Sequence, residues 1–173
     1  FGRRVERRVA RGDGGVGVYF APPYYPAYAG ATRVRIASNT GTSGFSMVVY
    51  DDDGPGGSAG TMLDSVTIAP QQAVAGNITI PLSAPLTITS GGVYVLWYMG
   101  GADINIAQDI VAPFSLNTYE VLGNTWAEYR DRENVDFHIG LDPTEAPVND
   151  IGVNGFFGAV DGQTLAGTST IRT

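Results

Sequence analysis

The sequence predicts an all-β chain: an antiparallel two-sheet β-sandwich, jelly-roll-like, with extended segments at both ends. Three observations predict it. Polar and apolar residues alternate with a period of two wherever the chain is apolar, as half-buried strands require. Turn signals recur about every 8–12 residues, the spacing of an antiparallel sandwich. The composition agrees, with 24 glycines in 173 residues and abundant Val, Ile, Thr, Tyr and Phe, a mixture that favours short strands and tight turns.

Each element follows from that pattern. Val16 to Phe20 is a short strand stopped by Pro22-Pro23. In Thr32 to Ile36, Val34 and Ile36 face inward while Arg33 and Arg35 face out. Phe45, Met47 and Val49 form the inward side of the next strand. Strands are then expected over 61–68, 77–82 and 86–89, with a turn at Pro85 dividing the last two. Val93 to Tyr98 is the most hydrophobic run and is expected at the centre of a sheet. Short strands over 105–107, 115–121, 126–129 and 135–139 complete the set.

The domain boundaries read as a basic arm over 1–13, a sandwich over 14–141, a proline-punctuated linker over 142–149 and an extended strand segment over 150–173. The last segment is either a donor strand or the start of a further domain, since some 24 residues cannot bury a core alone. The chain starts at Phe1, which reads as a mature or excised piece of a longer precursor.

Charge is uneven. Residues 1–11 hold five Arg and one Glu, net +4, and the remaining 162 hold five Arg against sixteen acids, net −11. Such a body repels phosphate, so nucleic acid is not an expected partner. No apolar run reaches the roughly 18–20 residues of a membrane span. There is no Cys, so disulfides and thiolate metal sites are excluded.

Four segments together resemble a β-sandwich accessory module of large exported bacterial multidomain proteins. They are Phe20-Ala-Pro-Pro-Tyr-Tyr-Pro26, the Val49 to Gly54 turn, Pro85 to Val95, and Asp136 to Ile139 following Trp126. The likeness covers roughly residues 14–141. Val148 to Val153 is similar to the opening strand of an immunoglobulin-like domain that often follows. The resemblance implies a non-catalytic module, secreted or at the cell surface.

Candidate chemistry centres on Asp51, Asp52 and Asp53, three adjacent carboxylates running into Gly-Pro-Gly-Gly. Calcium suits clustered carboxylate and carbonyl oxygens, yet successive strand side chains point oppositely, so one ion needs a turn to gather them. The competing reading is a solvated hairpin whose Asp and Gly serve turn geometry. Tyr24, Tyr25 and Tyr28 form an aromatic loop suited to a glycan, because flat rings stack on pyranose faces; Trp97 and Trp126 are expected in the core. His138, the sole histidine, reads as a surface or edge residue. No nucleophile-elbow or metalloprotease motif is present, and the chain reads as non-enzymatic. Arg11-Gly12-Asp13 spells an integrin-binding tripeptide, and Asn77-Ile-Thr79 a glycosylation sequon.

The functional expectation is therefore a structural or interaction module. Its partners are neighbouring domains or identical subunits, joined as a homo-oligomer or filament through strand edges and extended termini. The alternative is a calcium- or carbohydrate-binding accessory module.

Overall fold

The computed structural model describes residues 14–99, 103–123, 125–128 and 135–146. The expectations placed on the basic arm, the Arg11-Gly12-Asp13 tripeptide, Tyr129 and the 150–173 segment lie outside these residues. Among the described residues every regular element is a β-strand, and every ladder is antiparallel.

The first sheet has six strands in the order β10-β9-β1-β6-β3-β4. These are β1 (Gly14–Phe20), β3 (Phe45–Asp51), β4 (Met62–Ile68), β6 (Val93–Met99), β9 (Thr118–Leu122) and β10 (Thr125–Glu128). The second sheet is β12-β2-β5, with β7 also paired to β2. Its members are β2 (Ala27–Asn39), β5 (Gly76–Ile88), β7 (Ile104–Ile106) and β12 (Ile139–Pro143). A two-stranded pair of β8 (Gln108–Asp109) and β11 (Asp136–Phe137) completes the set.

The alternation read from the sequence builds the core between the sheets. Phe45, Met47 and Val49 of β3 and Val93, Val95 and Trp97 of β6 pack in one cluster with Val34, Ile36, Ile80, Ile88 and Ile139 of the second sheet. Each such side chain contributes about 1.5–3 kcal/mol by leaving water. β6 lies between β1 and β3, so both of its edges are paired, and its hydrophobic run occupies the interior of the sheet.

The opposite face of the six-stranded sheet carries a second, smaller cluster. Val48, Leu96 and Val121 are buried there with Tyr50, Tyr98 and Trp126 packed against them. Trp126 thus belongs to this outer cluster instead of the main core. It lies over Gly17, where an added Cβ would stand 3.2 Å from its ring.

Three details depart from the pattern reading. β5 runs without interruption from Gly76 to Ile88, through both Pro81 and Pro85. It is the last strand of its sheet, and an edge strand tolerates residues that cannot donate to a ladder. β2 begins at Ala27, ahead of Thr32, and β12 extends to Pro143, past the expected boundary at Leu141. The strand order does not establish the jelly-roll topology, since β3-β4 and β9-β10 are sequential neighbours within one sheet.

Candidate functional site

The acidic turn sits where β3 ends. The Asp51 N–H donates to the Thr61 carbonyl at 2.8 Å and its own carbonyl accepts from Gly60 N–H at 2.9 Å, which closes the loop between β3 and β4. Inside that loop the three carboxylates separate. Asp51 Oδ1 accepts from the Asp52 N–H at 3.0 Å. Asp52 Oδ2 accepts from the Tyr19 hydroxyl at 2.8 Å and the Gly92 N–H at 2.7 Å. Asp53 accepts from both the N–H and the hydroxyl of Thr61, each at 2.6 Å.

Three sets of protein donors, instead of one shared centre, take up the charge. Among the described residues no group of three or more His, Cys, Asp or Glu side chains is placed to hold a metal ion. The glycines make these contacts possible. Gly91 has φ +63°, and a Cβ there would stand 2.4 Å from Asp52 Oδ1. At Gly60 it would stand 2.1 Å from Asp53 Oδ1. Tyr94 donates to the Gly57 carbonyl at 2.7 Å and ties the turn to β6.

The electrostatics match the geometry. Burial, and then the hydrogen bond and charge of Asp52, push the Tyr19 hydroxyl up to about 12. Burial raises Tyr94 too, helped by Tyr119, Tyr19 and Asp52. The two bonds from Thr61 hold the Asp53 carboxyl below the usual carboxylate range.

The aromatic loop forms one wall of a groove at an end of the sandwich. The groove encloses about 520 Å³ and draws on the end of β1, the 21–26 loop, the start of β2 and the ends of β5 and β12. Tyr24 is 72% exposed and lines it, together with Phe20, Pro22, Pro23, Tyr28 and Leu141. Tyr25 donates its hydroxyl to the Gly91 carbonyl, and the Tyr25–Pro26 peptide is cis. The Thr144 N–H donates to the Tyr28 carbonyl at 3.0 Å, fixing the end of β12 beside the loop. Pattern reading named the tyrosines but not their partners at 88 and 141–144, which only the fold brings near.

His138 lies in the bend between β11 and β12. Its N–H donates to Ala107 and its carbonyl accepts from Arg35.

The strand edges differ in how they are guarded. β4 ends its sheet with Met62 58% and Leu63 38% exposed. A bulge interrupts its pairing with β3 beside Tyr50, and Asp64 accepts from the Ser65 N–H and from the N–H and hydroxyl of Ser83 on β5. Burial works against the Asp64 charge, but the Ser83 and Ser65 bonds outweigh it and hold its carboxyl below the usual range. β5 carries Pro81 and Pro85, and β12 ends in Pro143. Bulges, edge charges and prolines are the means by which proteins blunt sheet edges. β10 is the other end of the six-stranded sheet, and no described strand pairs beyond it.

Comparison with known proteins finds no family model that matches the chain, no matching curated protein and no matching solved structure.

Proposed function

We propose that the chain is a non-enzymatic interaction module of an extracellular bacterial protein or filament, joining copies of itself or neighbouring domains by strand addition. One observation carries this reading. Among the described residues β10 terminates the six-stranded sheet, and it has neither the prolines of β5 nor the bulge of β4. An open edge is a template for a further strand.

Strand parity permits a propagating contact, with the partly blunted β4 edge as the receiving side. Six antiparallel strands give β10 and β4 opposite directions. A copy in the same orientation, placed edge to edge, therefore continues the antiparallel alternation. Such head-to-tail contacts do not close and build a filament.

The test is light scattering on the full chain. Thr125 and Ala127 are exposed, and Thr125→Glu with Ala127→Glu adds charge along β10 on an already acidic body. The parent is expected to form concentration-dependent assemblies and the double variant to stay monomeric with unchanged melting. A monomeric parent, or a variant that assembles like the parent, overturns the proposal.

A further inference from the structure

We infer that the groove at the Tyr24–Tyr28 end of the sandwich is a docking site for an extended, proline-containing peptide with a basic flanking residue. The groove stands apart from the β10 edge, and the inference does not depend on assembly through that edge.

The lining sets the class of ligand. Phe20, Pro22, Pro23, Ile88, Leu141 and Pro143 supply apolar surface, and the side chains able to hydrogen-bond within the lining are those of Tyr24, Tyr28 and Thr144. A sugar exposes a hydroxyl on nearly every carbon, and each one taken from water without a partner is costly. A polyproline II segment makes the smaller polar demand. Its proline residues have no N–H, it holds no internal hydrogen bonds, and its rings pack between aromatic and proline side chains. A volume of about 520 Å³ falls within the range of roughly 300–1,000 Å³ usual for ligand sites.

Much of the backbone around the groove is tied down before any ligand arrives. Tyr25 is tied to Gly91, and Thr144 to Tyr28. The absence of a side chain at Gly30 lets Thr144 sit close, since a Cβ there would lie 3.1 Å from it. Proline at 22, 23, 26 and 143 restricts φ along the lining. Little ordering entropy remains to be lost on binding, which is how a rigid groove gains affinity for a stiff ligand.

Charge gives the ligand its polarity. Glu145 is exposed immediately after Thr144, and Asp142, paired with Arg33, precedes Pro143. Asp52 holds the Gly91–Gly92 turn to which Tyr25 is anchored. With the chain outside its first eleven residues at net −11, a lysine or arginine beside the prolines adds attraction that weakens with salt.

The experiment is calorimetric titration of the full chain with three probes. They are an Arg-flanked peptide of alternating Pro-Pro and apolar residues, the same peptide with every Pro changed to Gly, and a set of β-linked oligosaccharides. Binding of the proline peptide is expected, at least tenfold weaker for the glycine peptide. It should fall at least tenfold in Tyr24→Ala and in Tyr28→Ala, and weaken at high salt. Tyr24 is exposed, so its variant is expected to keep the parent's melting temperature, and Thr125→Glu with Ala127→Glu should bind the peptide like the parent. Failure to bind the peptide, binding indifferent to both tyrosines, or preference for the oligosaccharides overturns the inference.

Discussion

The Tyr19 hydroxyl donates to Asp52 Oδ2 at 2.8 Å, linking the end of β1 to the acidic turn after β3. The same oxygen receives the Gly92 N–H, so one carboxylate gathers three separate stretches of chain. Asp52 is thus a staple between strands. Removing it leaves a phenol and a backbone N–H without their acceptor, which typically costs about 1–3 kcal/mol for each partly buried group. Asp52→Ala is expected to lower stability by about 2–3 kcal/mol in urea unfolding, and Tyr19→Phe by about 1–2 kcal/mol. A double variant no worse than Asp52→Ala would show that the two residues act as a pair.

Calcium gives a contrasting expectation for the same turn. With Asp51, Asp52 and Asp53 each supplied by different protein donors, added calcium is expected to leave the melting temperature unchanged. A calcium-dependent rise, abolished by Asp51→Ala with Asp53→Ala, would assign the turn to a cation.

Alkaline and acid limits follow from two groups in this region. Tyr19 is raised from 10.0 to about 12, so the folded form holds its proton more tightly than the unfolded form. Its contribution is fully present below pH 10 and is lost as pH rises from about 10 to 12. Asp53 is lowered from 3.8, and its contribution is present above that value and lost as pH falls below it. Tyr19→Phe should make the alkaline limb of a stability profile shallower, leaving the part that the raised Tyr94 contributes, and should leave the acid limb in place. An unchanged alkaline limb would separate Tyr19 from that transition.

Close strand approach predicts a severe site at Gly15. A Cβ there would stand 2.4 Å from the Trp97 carbonyl oxygen, a backbone atom that cannot turn aside. Gly15→Ala is expected to cost about 1–3 kcal/mol, as overpacking usually does. Gly56→Ala serves as a comparison, because its Cβ would meet nothing within 4 Å. There the positive φ of +71° sets the penalty, at about 1 kcal/mol.

The strands and their inward faces were legible because a period of two is written directly into the residues. Val34 and Ile36 are buried and alternate with exposed Arg33 and Arg35, and β6 is internal as its hydrophobic run implied. The continuity of β5 through Pro81 and Pro85 was not legible, since only the strand's position at a sheet edge makes those prolines tolerable. The acidic triplet was visible, but its partners were not. Tyr19 lies 33 residues away and Gly92 40 residues away from Asp52, and no local pattern encodes such pairs. Likewise, the exposed tyrosines stood out while the groove needed Ile88 and Leu141 brought beside them.

Amide hydrogen exchange across β10 tests self-association by strand addition most directly. The alternation of an antiparallel hairpin points the Trp126 N–H away from β9, toward an incoming strand. Comparison of dilute and concentrated full chain should show slowed exchange at Trp126 on assembly, with β5 unchanged at the prolines' neighbours. Assembly that protects β4 or β12 and leaves Trp126 exchanging at its dilute rate would contradict the mechanism, as would identical exchange at both concentrations.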